Sequence, residues 1–173
     1  DLRHFPTITP VQKSWISSHF GDRTDPFTGR KARHLGVDFA GRTGMPIYAT
    51  GDGKVIHAYL DRRLGNVVVI EHSVREINED GEKYTRKGTF RTEYGHMEKL
   101  MVKAGDYIKR NQQIGTMGST GRSTGPHLHY AVRYIDRRRG GDKGYVDPEK
   151  FFLDNVQRGA AAKLAQVSGW VEK

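Results

Sequence analysis

Two histidines separated by one residue, in the segment His127-Leu128-His129, open a run with the composition of a β-strand. Side chains alternate between the two faces of a strand, so both imidazoles should point the same way while Leu128 points into the core. Imidazoles bind metal ions and transfer protons near neutral pH. Two of them on one strand face are seldom needed for packing, so the spacing predicts a site for metal or proton chemistry.

A second motif, His-Leu-Gly-Val-Asp at residues 34–38, supplies a histidine and a carboxylate far upstream. If this motif is extended, His34 and Asp38 share one face. The opposite face then carries three apolar residues, Leu35, Val37 and Phe39. Zinc takes nitrogen and oxygen ligands, and catalytic zinc sites commonly combine three protein ligands with a water molecule. His34, Asp38 and His129 form such a set and predict a zinc hydrolase that activates water.

A third histidine motif, Tyr94-Gly95-His96, also ends a β-rich run. His96 and His127 would remain unligated, and they suit proton transfer to and from the reacting groups. Two histidines and one carboxylate can also bind iron in an oxygenase. The additional histidines and the lack of an evident site for an organic cosubstrate make iron the weaker interpretation. The other histidines are predicted to be structural or on the surface: His4, His19, His57 and His72.

The composition fits one domain with a real core and a cationic surface. The 173 residues include 29 Lys and Arg against 20 Asp and Glu, a net charge of +9. Such charge favours an anionic partner, which could be nucleic acid, a membrane surface or an acidic polymer such as the bacterial cell wall. The absence of cysteine excludes disulfides and a Cys-based zinc site. No apolar run is long enough for a transmembrane segment, and no signal peptide is recognised, although a chain that starts at Asp1 is compatible with processing.

Short β-branched and aromatic runs between Gly, Asp and Asn turns predict a mainly β protein. The predicted strands are residues 45–50, 53–59, 66–72, 90–96 and 128–134, with shorter ones at 106–108 and 113–117. Single helical turns are predicted at 98–102 and 148–153. Residues 75–91 are polar and predict a long, mobile hairpin loop that either walls a substrate groove or is a disordered insertion.

The motifs at 34–38, 94–96 and 118–129 resemble those of LytM/lysostaphin-type zinc metallopeptidases, above all Ser-Thr-Gly-Pro-His-Leu-His at 123–129. Segments 16–23, 25–29, 65–72, 102–106 and 113–115 agree with the same family. The resemblance implies a compact fold with a groove over an antiparallel β-sheet. It also implies that His34, Asp38 and His129 bind one zinc ion and that His96 and His127 are catalytic.

Family members of this type are extracytoplasmic endopeptidases that cut bacterial peptidoglycan, which the resemblance implies as the partner here. The D-alanyl–diaminopimelate crosslink is favoured over a glycine bridge. The implied organisation is an N-terminal extension (1–13), a peptidase domain (14–153) with an inserted loop (75–91), and a C-terminal tail (154–173).

Three alternatives are weaker. A non-catalytic regulator of cell-wall amidases would not need all five site residues. A biotin or lipoyl carrier, suggested by residues 102–108, would need a lysine in a carrier motif. Nucleic-acid binding rests on positive charge alone, and the loop 118–125 lacks the pattern of a phosphate-binding loop.

Overall fold

The alternating apolar residues of the sequence form an antiparallel sheet in the computed structural model of the protein, which describes residues 2–77, 84–136 and 141–153. The strands within these residues are β1 (Ile16–Ser18), β2 (Gly21–Thr24), β3 (Lys31–His34), β4 (Val37–Ala40), β5 (Pro46–Tyr48), β6 (Gly53–Asp61), β7 (Gly65–Ile77), β8 (Tyr84–Leu100), β9 (Tyr107–Ile108), β10 (Gln113–Met117), β11 (His127–Asp136) and β12 (Gly141–Val146). Two 3₁₀ turns, Leu2–His4 and Pro148–Lys150, complete the described structure. The prediction of a mainly β fold is confirmed.

The order of strands in the large sheet brings the histidine motifs together. Its strands run β1-β4-β11-β8-β7-β6-β9, β12 pairs with β11, and β10 joins β5 to β8. Strands β2 and β3 form a separate two-stranded sheet. Because β11 lies between β4 and β8, His129 is opposite Asp38 on one side and Gly95 on the other.

One face of this sheet is the core and the other carries the site. Leu128, Tyr130 and Val132 of β11 are fully buried in the core, which confirms that Leu128 points inward. Phe39 packs edge-on against Tyr130, Tyr94 packs tilted against it, and Phe152 stacks on it. Burial of these large rings is the main stabilising contribution that the sheet makes. The polar residues of the same strands are therefore left on the opposite face.

Several boundaries differ from the predictions. The segment 75–91 is not a loop at its ends, because β7 continues to Ile77 and β8 begins at Tyr84 with the two strands paired throughout; residues 78–83 lie outside the described residues. The helical turn predicted at 98–102 is wrong, because β8 runs to Leu100 and pairs with β10. The turn predicted at 148–153 is confirmed for Pro148–Lys150, where Asp147 caps the amide of Glu149.

The predicted N-terminal extension contributes to the core. Phe5 and Val11 of this extension are buried in the core. The amide of Leu153 donates to the carbonyl of Thr7, which joins the extension to the end of the predicted peptidase domain. Residues 154–173, the predicted tail, lie outside the described residues. No helix in the described part of the chain is both long and apolar enough to cross a membrane.

His72 lies in the core with both ring nitrogens bonded, as the sequence suggested. Nδ1 lies 2.8 Å from the carbonyl oxygen of Asp52 and Nε2 lies 2.7 Å from Oγ1 of Thr92. Burial lowers the pKa of His72 from 6.5 to about 4. The unfolded chain therefore binds a proton at a pH where the folded chain does not.

We predict from this shift that stability falls as the pH drops from 6.5 to 4 and that His72→Gln removes part of the fall. The unfolded state gains the proton first, so wild type should lose about 3 kcal/mol more than the variant over this range. Urea unfolding of both metal-free proteins at several pH values measures the difference. Equal pH slopes in the two proteins would contradict the prediction.

Candidate metal centre and active site

Three donor atoms meet on the polar face of the sheet. Nε2 of His34 lies 3.2 Å from Oδ1 of Asp38 and 3.3 Å from Nδ1 of His129, and the last two atoms are 3.1 Å apart. Zinc bonds of 2.0–2.1 Å at tetrahedral angles separate ligand atoms by about 3.3 Å. The triangle of donors therefore has the dimensions and the chemistry of three zinc ligands with one open position.

A bend, not a continuous strand, brings His34 to Asp38. β3 ends at His34, residues 35 and 36 turn, and β4 begins at Val37 in the other sheet. The motif is therefore not extended throughout, and Leu35 is 40% exposed whereas Val37 and Phe39 are buried. Gly36 permits the bend to pass against β11, because a Cβ there would meet the carbonyl oxygen of Tyr130 and the ring of His129.

Outer hydrogen bonds orient two of the three candidate donors. The carbonyl of His19 accepts from Nδ1 of His34 at 3.0 Å, which leaves Nε2 as the donor atom for a metal. Nη1 of Arg23 donates to Oδ2 of Asp38 at 3.1 Å, so Oδ1 is the oxygen presented to the site. Burial opposes ionisation of Asp38, but hydrogen bonds from His129 and His34 hold its pKa well below its usual range. Arg23 was not singled out from the sequence; its only signal was its place in segment 16–23.

His127 and His96 lie beside the three donors with their tautomers set by the loop before β11. Nδ1 of His127 lies 2.9 Å from the carbonyl oxygen of Gly125, and Nδ1 of His96 lies 2.7 Å from that of Thr120. Each ring therefore donates through Nδ1 and keeps Nε2 as a base. The ring centroids are 4.7 Å apart, and Nε2 of His127 lies 3.9 Å from Oδ1 of Asp38.

A bulge in β8 turns His96 onto the polar face. Strict alternation from the buried Tyr94 would send His96 into the core with it. The pairing with β7 shifts register between Val68 and Asn66, and His96 adopts a φ of +60°. Such a conformation is uncommon for a residue other than glycine and often marks a functional site. Burial lowers the pKa of His96 to about 4, so its ring is neutral at neutral pH.

These side chains line one groove of about 640 Å³, which contains all five residues predicted for the site. The groove also contains Glu93 and Tyr145, which sequence reasoning missed. The hydroxyl of Tyr145 donates to the carboxylate of Glu93, with both oxygens at 3.1 Å. Burial and the Glu93 charge raise the pKa of Tyr145 to about 12. Only the pairing of β11 with β8 and β12 brings these residues to the groove, so no local motif could have indicated them.

An antiparallel sheet that carries these three donors beside two further imidazoles has the arrangement expected of the metal-dependent hydrolase class. Comparison with known proteins narrows the class, because residues 32–148 match Peptidase family M23. The chain therefore belongs to this family of metallopeptidases, and the LytM/lysostaphin resemblance is confirmed.

Relatives agree in sequence and in fold. Peptidoglycan DD-endopeptidase ShyB of Vibrio cholerae is 36% identical over 94% of this chain and 36% of its own length. A zinc-containing peptidase from Vibrio cholerae superposes with a TM-score of 0.64 at 38% identity, over 83% of this chain and 39% of that one. The catalytic domain of lysostaphin from Staphylococcus simulans superposes with a TM-score of 0.61 at 31% identity, over 80% of this chain and 91% of that one. The chain thus spans about a third of the curated relative but most of an isolated catalytic domain.

Proposed function

We propose that this chain is the catalytic domain of a zinc-dependent endopeptidase that hydrolyses D-alanyl–diaminopimelate crosslinks of peptidoglycan outside the cytoplasm. One observation carries the proposal: the triangle of donors from His34, Asp38 and His129 faces the same groove as the free Nε2 atoms of His96 and His127. The name of the ShyB relative supports the choice of bond over a glycine bridge.

In this proposal the chain's own residues divide the work. A zinc ion held by the three donors would supply a water of lowered pKa and polarise the amide carbonyl. His127 places Nε2 3.9 Å from Oδ1 of Asp38. This nitrogen takes up a proton from the attacking water and returns it to the departing amine. His96, whose neutral ring keeps Nε2 as an acceptor, orients the attacking group by accepting a hydrogen bond from it. The net charge of +9 attracts the domain to the anionic wall.

Mass spectrometry of purified sacculi tests the proposal. Sacculi of both crosslink types are incubated with the zinc-loaded protein, with and without a chelator, and His127→Ala serves as the inactive control. We expect chelator-sensitive loss of D-alanyl–diaminopimelate dimers and the appearance of new stem-peptide ends. Cleavage of glycine bridges alone would contradict the choice of bond. No cleavage by a zinc-loaded protein would favour a non-catalytic regulator of amidases.

We further predict that Arg23→Gln weakens zinc binding by about 10-fold or more. Oγ of Ser18, 2.7 Å from Nη1, fixes the guanidinium of Arg23, which in turn holds Oδ2 of Asp38. Without Arg23 the carboxylate of Asp38 is free to rotate away from the other two donors. Outer partners of metal ligands are commonly worth 10–100-fold in affinity. Competition with a chromogenic chelator measures the dissociation constant.

Arg33→Gln is the matched control for Arg23, because Arg33 also lines the groove but lies 5.3 Å over the ring of Phe20. This variant should bind zinc like the wild type. Equal losses of affinity in both variants would show that general positive charge matters, and not the contact with Asp38.

A further inference from the structure

The wall of the groove next to His127 carries two arginines, Arg63 and Arg122, on adjacent loops. Arg63 lies in the turn between β6 and β7, and Arg122 lies in the loop that precedes β11. The amide of Arg122 donates to the carbonyl of Arg63 at 2.8 Å, so the two residues are held side by side. Both line the groove that contains the five site residues.

Close backbone packing makes this wall rigid. A Cβ on Gly121 would meet the amide of Gly65 and the carbonyl of Arg63, and both glycines have positive φ values of 73° and 65°. Thr120 adds side-chain bonds, since its Oγ1 accepts from the amide of Asn66 at 3.0 Å. The two loops therefore behave as one unit.

The same loop orients the proposed catalytic histidines. The carbonyl of Thr120 accepts a hydrogen bond from Nδ1 of His96. Ser123 follows Arg122 in the chain, and its Oγ lies 3.2 Å from Nδ1 of His127. Any group bound by Arg122 is consequently placed at a set position relative to both imidazoles. This is what a residue that fixes substrate orientation requires.

The guanidinium of Arg122 packs on one aromatic ring and remains partly exposed. Its Cζ lies 4.4 Å from the centre of the Phe27 ring, a cation–π contact. Its ion pair with Asp25 is long, 3.9 Å, and Arg122 remains 48% exposed. A guanidinium has five N–H donors in its plane and binds carboxylates bidentately through its edge.

One oxygen of each carboxylate of this wall, Oδ1 of Asp25 and Oδ1 of Asp61, is hydrogen-bonded within its own turn. Asp25 accepts from the amides of Phe27 and Thr28, at 2.7 and 3.0 Å. Asp61 accepts from the amides of Arg63 and Leu64, at 2.7 and 2.8 Å. These hydrogen bonds hold the pKa values of both carboxyls below their usual range. Asp25 and Asp61 also line the groove as ionised acceptors, so the hydrogen-bond donors that this wall offers to a carboxylate come from Arg63 and Arg122.

We propose that Arg122 and Arg63 form a carboxylate-binding subsite that selects crosslinks with a free carboxylate next to the scissile amide. This inference rests on the proposed function and names its substrate more closely. In a D-alanyl–diaminopimelate crosslink, the carbon attached to the amide nitrogen also bears a carboxylate. A glycine bridge has no carboxylate there, so the pair would discriminate between the two crosslink types.

Two purified muropeptide dimers test the subsite: one with this carboxylate free and one with it converted to a carboxamide. We expect wild type to cleave the free acid at least about 10-fold more efficiently in kcat/KM, as expected for hydrogen bonds to a charged group. Arg122→Gln and Arg63→Gln should reduce this preference toward one, mainly by slowing the acid. Arg62→Gln, a change of an exposed neighbour outside the groove, should keep both rates and their ratio.

Three results would overturn the subsite: an unchanged preference in both groove variants, an equal loss on both dimers, or the same loss of preference in Arg62→Gln. Calorimetric binding of the two dimers to His127→Ala, with and without Arg122→Gln, gives a readout independent of turnover. If wild type cleaves neither dimer, the proposed function fails. An acid preference in binding that disappears with Arg122→Gln would still support the subsite, and its absence would overturn it.

Discussion

Replacing His129 or Asp38 by alanine is expected to remove zinc and peptidase activity together, whereas His127→Ala should keep zinc and lose turnover. His129 and Asp38 each supply one corner of the donor triangle, at 3.1 Å from each other. Removing a corner should weaken zinc binding by more than about 100-fold, since outer partners alone are worth up to that much. His127 has no place in the triangle, so its loss should lower kcat by about 10²–10⁴-fold.

Zinc content by atomic emission, measured after dialysis beside the rate of dimer cleavage, separates the two roles. His57→Ala changes an exposed histidine outside the groove and should retain both metal and activity. If His127→Ala lost as much zinc as His129→Ala, the proposed division of roles would be wrong. His96→Ala is expected to behave like His127→Ala.

The second large effect is expected from adding a single methyl group at Gly36. Its Cβ would meet the backbone carbonyl of Tyr130 in the central strand and would lie 2.9 Å from Cε1 of His129 and 3.1 Å from Cβ of Ala131. A backbone atom in the middle of a sheet cannot move aside, so the β3–β4 bend must shift and carry His34 with it. We expect Gly36→Ala to lower the free energy of unfolding by about 3 kcal/mol and to weaken zinc binding.

Urea unfolding and zinc titration of Gly36→Ala test this effect. Gly125→Ala is the control for both quantities, because nothing lies within 4 Å of a Cβ there and its φ is not positive. Wild-type stability and zinc affinity in Gly36→Ala would mean that the bend relaxes freely. That result would remove the argument that glycine is required at this position.

Both expectations concern a site whose residues were largely predictable. Residue types and spacing selected His34, Asp38, His96, His127 and His129, and all five line the groove. The strands that carry them were predictable too, since a sheet with one buried face imposes strict alternation on the sequence. The segment 75–91 was misassigned because its sequence is mostly polar and charged and does not show that alternation.

The sequence by itself determined the class of fold, the polar face of β11 and the set of side chains available for chemistry. These properties depend on neighbouring residues, whose alternation is local. The tertiary structure alone decided how the set is arranged. The bulge that takes His96 out of the core depends on pairing with β7, and the bend at Gly36 depends on how closely it approaches β11. The contacts of Arg23 with Asp38 and of Arg122 with Phe27 join distant segments, so only folding brings them together.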